Sequence, residues 1–155
     1  MRKQKGFSLI ELLIVVAIIL VIAAIAIPNL MKSRIAANEA SAVGSLRAIN
    51  NAEVTYNTSY NMYTCTLAAL GPGSGGGSQA SSAAAQILDA NLSSGTKSGY
   101  SFIVGTCSTS AYQWSANPIS PGYSGNRYFC TTEAFEVLVD PNSASNCLTI
   151  GSPIA

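Results

Sequence analysis

The sequence predicts an α+β protein in which a long hydrophobic N-terminal α-helix packs on a small antiparallel β-sheet head. The first observation is an uninterrupted apolar run from Leu12 to Ile27, within a chain of 155 residues. The second is a set of short alternating apolar and polar segments after residue 100, separated by Gly, Pro, Ser and Thr. One helix followed by a run of strands is typical of an α+β arrangement. The length suits one domain with an appendage.

The apolar run is long enough to cross a bilayer, because a spanning helix needs about 20 apolar residues. Arg2, Lys3 and Lys5 precede it. Positive charges favour the cytoplasmic side, so we expect the N-terminus to stay there and the chain after Pro28 to lie across the membrane.

Three interpretations of this segment compete: a cleaved secretory signal peptide, a plain membrane anchor, and a leader that is trimmed to leave the helix in place. The apolar core of a signal peptide is about 7–15 residues, which is shorter than this run. A plain anchor accounts for the length but not for Glu11, since a carboxylate inside an apolar helix is costly and indicates a function.

Residues 5–12 read KGFSLIEL and resemble the class III signal of type IV pilins and pseudopilins. The resemblance covers roughly residues 1–55. It implies that a prepilin peptidase cuts after Gly6 and N-methylates Phe7, and that Glu11 aligns incoming subunits. Pro28 matches the proline at which these helices loosen or kink.

The resemblance also implies the type IV pilin fold and its division of the chain. Residues 1–6 would be a cytoplasmic leader, and residues 7–57 the helix, with 7–29 as transmembrane segment and filament core and 30–57 as an amphipathic half. Residues 58–155 would be the head, made of an αβ-loop (58–99), a sheet (100–139) and a C-terminal loop (140–155).

The spacing of Phe7 and Glu11 gives this interpretation a physical basis. Cleavage would create a charged amine at Phe7, one helical turn from the Glu11 carboxylate, so the two groups could pair within a chain or between neighbours. In an apolar filament centre such a pair would set the axial register, as a buried polar residue does in coiled coils.

The second half of the helix is predicted to be amphipathic. Its apolar stripe is Ile35, Val43, Leu46 and Ile49. Its polar positions are Lys32, Arg34, Asn38, Glu39, Arg47 and Asn50. Tyr56, Tyr60 and Tyr63 follow near the helix end; we interpret them as packing between helix and sheet, with a functional aromatic stripe as the alternative.

Beyond the helix, residues 71–82 form a Gly/Ser-rich loop. Ser81 or Ser82 is predicted to cap a short helix over Ala83–Leu92, which Gly95 terminates. Three or four strands are expected over 100–104, 111–116, 127–130 and 135–139. Their predicted inward residues are Phe102, Val104, Tyr112, Trp114, Phe129 and Val137.

The four cysteines, Cys65, Cys107, Cys130 and Cys147, predict two disulfides formed in an oxidising compartment. A Cys130–Cys147 bridge would resemble the closed C-terminal loop of many type IV pilins, and Cys65 would then join Cys107. Four cysteines allow three pairings, and the sequence does not choose between them. Asp140, Asn142 and Asn146 are interpreted as turn formers, with a calcium site as the alternative.

The composition narrows the function. The sequence has no histidine, which excludes histidine-dependent triads and metal sites. Without residues 1–6, five Lys and Arg stand against seven Asp and Glu (5 − 7 = −2), so no nucleic-acid partner is indicated. No metal, cofactor or enzyme activity is expected.

We therefore expect a structural subunit of a surface type IV pilus. Its expected partners are copies of itself, the prepilin peptidase, membrane lipid before assembly and the assembly machinery of the bacterial inner membrane. The first alternative is a pseudopilin of a type II secretion system; the four cysteines and the lack of a Pro-Trp-Gly segment favour the pilus. The second is a membrane-anchored enzyme or binding protein that reuses this leader.

Overall fold

The computed structural model describes residues 7–73, 79–140 and 152–154. The chain divides into two compact units, Met1–Arg34 and Ile35–Ala155. Helix α1 (Leu9–Tyr60) begins in the first unit and ends in the second.

The first unit consists of the apolar part of α1. Its most apolar stretch has a mean hydropathy of 3.3, none of it is buried, and α1 is the one helix in the described residues that could cross a membrane by length and composition. The helix is continuous through Pro28. Next to it, the Asn29 side chain donates to the Ile25 carbonyl (3.2 Å), and Ser33 Oγ donates to the Asn29 carbonyl (3.0 Å). The kink expected at Pro28 stays a prediction.

The second unit contains the rest of α1, two short helices and one sheet. In the described residues the sheet has six strands in the order β1-β2-β3-β4-β5-β6, and every neighbouring pair is antiparallel. The short helices are α2 (Leu67–Leu70) and α3 (Ala90–Ser93). The strands are β1 (Thr96–Lys97), β2 (Tyr100–Cys107), β3 (Tyr112–Pro118), β4 (Tyr128–Thr132), β5 (Val137–Asp140) and β6 (Ser152–Pro153). The α+β class with a long N-terminal helix and a small antiparallel sheet is confirmed.

The core lies between α1 and the sheet. Leu46 and Ile49 of α1 are fully buried, as are Tyr100 and Phe129 of the strands. Five of the six predicted inward residues are buried, and Val104 is half-buried.

Some expected boundaries were wrong. Within residues 79–140 and 152–154 the sheet has six strands instead of three or four, because it also includes the two-residue strands β1 and β6. The helix expected over Ala83–Leu92 is reduced to α3. Ile87 and Leu88 donate their N–H groups to the Leu70 carbonyl (2.8 Å each), and Gln86 has φ 58°, so this stretch pairs with the end of α2 instead of with itself. The residue that caps α3 is Asp89, not Ser81 or Ser82, since Asp89 Oδ1 accepts from Leu92 N–H (2.9 Å).

The three tyrosines near the end of α1 pack between helix and head. Tyr56 is buried, its ring lies 4.6 Å from that of Tyr60, and its hydroxyl donates to the Ser82 carbonyl (2.7 Å). The rings of Tyr63 and Tyr112 meet edge to face at 4.8 Å. These contacts are the packing role we expected.

Candidate functional site

The start of α1 carries the first candidate site. Ser8 precedes the first helical residue, and its backbone N–H donates to Glu11 Oε2 (3.0 Å). A glutamate in this position satisfies an N–H group that has no partner within the helix, and its charge interacts favourably with the helix N-terminus. Phe7 is 90% exposed, and Glu11 is exposed as well. Gly6, the predicted cleavage site, lies outside the described residues.

Glu11 is the only acidic residue in the apolar part of α1. Its Oε2 is engaged by its own chain, and its Oε1 can accept a further hydrogen bond or face a cation. The site can therefore hold one positive group, such as an amine, at the start of an apolar helix.

The second candidate site is the contact of α1 with the head, where Glu39 makes the first connection. Glu39 is 5% exposed. Its Oε1 accepts from the N–H groups of Asn126 (2.9 Å) and Arg127 (3.2 Å), and its Oε2 accepts from Arg127 Nε (2.7 Å). Nearby, the Asn38 side chain donates to the Ser124 carbonyl (2.8 Å). Two consecutive helix residues thus hold the β3–β4 loop.

Asn50 makes a second connection. Its Nδ2 donates to Thr131 Oγ1 of β4 (2.7 Å), and its Oδ1 accepts from the Tyr112 hydroxyl of β3 (3.2 Å). Burial and the negative charge of Glu53 raise the pKa of Tyr112, so its hydroxyl stays protonated and can donate.

Glu53, which is 0% exposed, makes the third connection. Its Oε1 accepts from Trp114 Nε1 of β3 (2.9 Å), and its Oε2 accepts from Thr64 N–H (3.0 Å). Burial raises the pKa of Glu53, and these two hydrogen bonds oppose the rise. A buried carboxylate held in this way ties the helix to the sheet and to the loop that follows the helix.

A disulfide joins Cys65 to Cys107, with Cα atoms 5.7 Å apart. Cys65 follows Thr64, and Cys107 ends β2, so the bridge closes the same corner that Glu53 holds. Cys130 is buried in β4, and its expected partner Cys147 lies outside the described residues.

The described residues contain no group of three or more His, Cys, Asp or Glu that could hold a metal ion. Asp140, considered as a calcium ligand, is buried at the end of β5. Asn142 and Asn146 lie outside the described residues.

Glu39 and Asn50 were predicted to lie on the polar side of the helix, and this prediction was wrong. No role was predicted for Glu53. The sequence nevertheless contains a pattern that indicates where the two glutamates lie. Extending the Leu46–Ile49 stripe by steps of three and four residues gives the positions of Ala42 and Glu39 in one direction, and Glu53 in the other. All of these side chains are buried.

Comparison with known proteins gives a match to one family model and similarity to several relatives. Residues 1–27 match the family model of the prokaryotic N-terminal methylation motif. The chain is 46% identical over 70 residues to the type IV wide pilus major component PilA4 of Thermus thermophilus, covering 45% of this chain and 53% of the relative. It is 35% identical over 65 residues to the type II secretion system core protein G of Aeromonas hydrophila, covering 42% and 46%.

A third relative, the type IV major pilin protein PilA of Myxococcus xanthus, is 40% identical over 62 residues, covering 40% of this chain and 28% of the relative. The chain thus spans about half the length, or less, of the curated relatives it matches. The similarity is to type IV pilins and to core proteins G of type II secretion systems.

Proposed function

We propose that this chain, which carries the N-terminal methylation motif and is similar to type IV pilins, is a structural subunit that polymerises into a type IV pilus. The observation that carries the proposal is the first unit: the motif spans residues 1–27 and opens an exposed apolar helix whose only acid is Glu11. An apolar surface of this size must be covered by lipid or by other apolar helices. Lipid would cover this surface before assembly, and neighbouring subunits would cover it afterwards.

In this proposal the prepilin peptidase removes residues 1–6 after Gly6 and methylates the new amine of Phe7. Ser8 N–H already engages one oxygen of Glu11, and the other oxygen accepts the amine of a neighbouring subunit. Because an unpaired carboxylate in an apolar filament centre is costly, only the axial position that pairs the two groups is favourable.

The proposed partners are further copies of the chain, the peptidase and the assembly machinery of the inner membrane. The proposed location is the inner membrane with a single span, and then the cell surface. The proposal assigns the chain no catalytic activity and no cofactor.

The test is an intact-mass measurement on sheared surface filaments and on the membrane fraction of the same cells. We expect a chain in the sheared fraction that starts at Phe7, carries one extra methyl group and lacks four hydrogens for two disulfides. An unprocessed chain found only in the membrane would overturn the proposal.

Two substitutions separate processing from assembly. Gly6→Val should block cleavage, because the bulky side chain occupies the position before the scissile bond. Glu11→Val should leave cleavage intact and abolish filaments, whereas Leu13→Val, an apolar change nearby, should preserve both. Normal filament yield from Glu11→Val would contradict the pairing of Glu11 with the amine.

The second candidate function is a pseudopilin of a type II secretion system, which the similarity to core protein G favours. The same mass measurement distinguishes it. A mature, methylated chain that stays with the membrane, in cells whose shearing releases none of it, would identify a pseudopilin instead of a surface pilin.

A further inference from the structure

The turn between β4 and β5 presents an exposed aromatic side chain in a backbone conformation that normally takes glycine. Phe135 N–H donates to the Thr132 carbonyl (3.0 Å), which closes the turn, and Phe135 has φ 63°. Left-handed backbone is a rare state for a bulky residue, and hairpins of this kind usually place glycine there. Phe135 is nonetheless 48% exposed. A half-exposed aromatic side chain held in a costly backbone conformation points to a role in binding.

Two glutamates belong to the same turn as Phe135. Glu133 comes two positions before it and Glu136 one position after it, both are exposed, and Glu133 Oε2 accepts from Tyr112 N–H of β3 (3.4 Å). We call residues 133–136 the acidic turn. It carries one exposed aromatic side chain and two negative charges.

A groove of matching character lies between α1 and β4. It has a volume of about 360 Å³, and its lining includes Ala40, Val43, Arg47, Arg127, Phe129 and Ile154. We call it the arginine groove. Its lining combines apolar side chains with Arg47, which is exposed, and Arg127, which is half-exposed. Ala40 and Gly44 keep the helix side of the groove open, since a Cβ added to Gly44 would meet no atom within 4 Å.

The charges of the two surfaces are complementary. Glu39 offsets part of the positive charge, because it is paired with Arg127 (2.7 Å). Arg47 then leaves the groove net positive, opposite to a turn that carries two carboxylates. Such complementarity steers association and sets register.

The two surfaces stand at opposite ends of one strand. Arg127 immediately precedes β4 and Phe129 is its second residue, whereas the acidic turn follows Thr132 at the other end of the strand. Because β4 separates them, the acidic turn and the arginine groove of one chain cannot contact each other. They can meet between two chains, and a contact between different surfaces repeats from copy to copy into an open filament.

We propose that the acidic turn of one subunit inserts Phe135 into the arginine groove of the next copy of this chain. This proposal rests on the proposed function, because it describes one contact of the same filament. It names a second contact site, in the head, besides the one at Glu11.

Photo-crosslinking tests the contact directly in assembled filaments. A benzophenone amino acid placed at position 135 of the full chain should crosslink to a second copy. Trypsin cuts after Arg34 and Arg47, so the peptide over residues 35–47, which forms the helix side of the groove, should be the one attached. Crosslinks to other parts of the chain, to a different protein, or to nothing would each overturn the proposal.

Substitutions at Phe135 provide a second test of the contact. Phe135→Gly removes the ring and relieves the left-handed strain, so we expect a subunit that is at least as stable but a filament yield about tenfold lower, equivalent to about 1.4 kcal/mol per contact. The matched control is Ile103→Thr, at a position 49% exposed on β2, which should keep the yield. Undiminished yield from Phe135→Gly would overturn the proposal.

Exchanging the charges of the two surfaces tests most directly whether the arginine groove contacts the acidic turn. Arg47→Glu and Glu136→Arg should each lower the filament yield, and the two changes together should restore part of it. Each variant is also tested for cleavage and for its amount in the membrane. If wild-type chain forms no filament, the proposed function fails; if wild type and all variants assemble equally, only the contact between turn and groove fails.

Discussion

Glu53→Gln is the change that most directly tests how the head holds α1. The glutamate is 0% exposed and accepts two hydrogen bonds, from Trp114 Nε1 (2.9 Å) and Thr64 N–H (3.0 Å), one on each carboxylate oxygen. Glutamine keeps the shape but has one oxygen, so one of the two donors loses its acceptor and faces an amide NH₂. A buried donor that is left without an acceptor lowers the free energy of unfolding by about 1–3 kcal/mol. We expect the variant to lose about 2 kcal/mol of unfolding free energy at pH 7.

The difference in stability between wild type and the variant should depend on pH, in a direction that the pKa of Glu53 determines. Burial raises the pKa of Glu53 above its ordinary value of 4.5, so the folded protein binds this proton more tightly than the unfolded chain does. Its contribution to stability is therefore fully present below pH 4.5 and is lost as the pH rises through the raised folded pKa. Within that window the slope approaches about 1.36 kcal/mol per pH unit. Glutamine does not titrate, so the difference between wild type and variant should shrink as the pH rises.

The assay is urea unfolding of the full chain in mild detergent, followed by tryptophan fluorescence. Trp114 is the only tryptophan and it donates to Glu53, so the probe sits at the perturbed contact. Glu136→Gln, at an exposed carboxylate, is the matched control and should change stability by less than about 0.5 kcal/mol. Equal stability of the Glu53→Gln variant and wild type at pH 7, with no change of the difference across the acid range, would refute the reasoning.

Further variants test other parts of the head. Replacing Cys65 and Cys107 by serine opens a bridge with a sequence separation of 42, which should cost about 4 kcal/mol of unfolding free energy in the chain-entropy model, measured by urea unfolding. Gly125→Ala places a methyl group against the hydroxyl and ring edge of the buried Tyr100, so we expect a loss of about 1–3 kcal/mol of unfolding free energy in the same assay. Glu39→Leu combined with Glu53→Leu should leave a compact head with more than one helix position, seen as doubled amide signals in NMR spectra; a single set of signals would contradict this.

The parts of the fold with a strong repeating pattern could be predicted from the sequence. The long helix follows from an apolar run that continues into an amphipathic stripe, and β2 to β5 follow from short alternating segments. The strands β1 and β6 have two residues each, which is too short for any pattern. The alanine-rich segment 83–87 favours a helix locally, but its backbone pairs with the end of α2, and tertiary contacts override propensity.

The residues of the two candidate sites also differ in how far the sequence alone points to them. Glu11 could be proposed as a site residue because a motif surrounds it, and motifs depend on residue order alone. Glu39 and Glu53 were missed because a charged residue is normally exposed, and only its partners reveal that burial is compensated. Those partners come from the β3–β4 loop, from β3 and from the segment after α1, which are distant in sequence.

The two buried glutamates explain how a helix with a weak apolar face keeps one position on the sheet. Between Glu39 and Glu53 the buried apolar face of α1 consists of Ala42, Leu46, Ile49 and Ala52, and two of these four have minimal side chains. A slide of the helix by one turn, about 5.4 Å, would exchange similar apolar contacts. It would, however, separate both carboxylates from their donors at once.

Leaving a buried carboxylate without its partner costs about 3–5 kcal/mol, which is far more than the difference expected between similar apolar contacts. The two residues are 14 positions apart and are held by different segments of the head, so no single local change releases both. Replacing either glutamate by an apolar side chain of similar size would change the net stability little, because burying a carboxylate is itself costly. What the pair contributes is the choice of one register of α1 on the sheet.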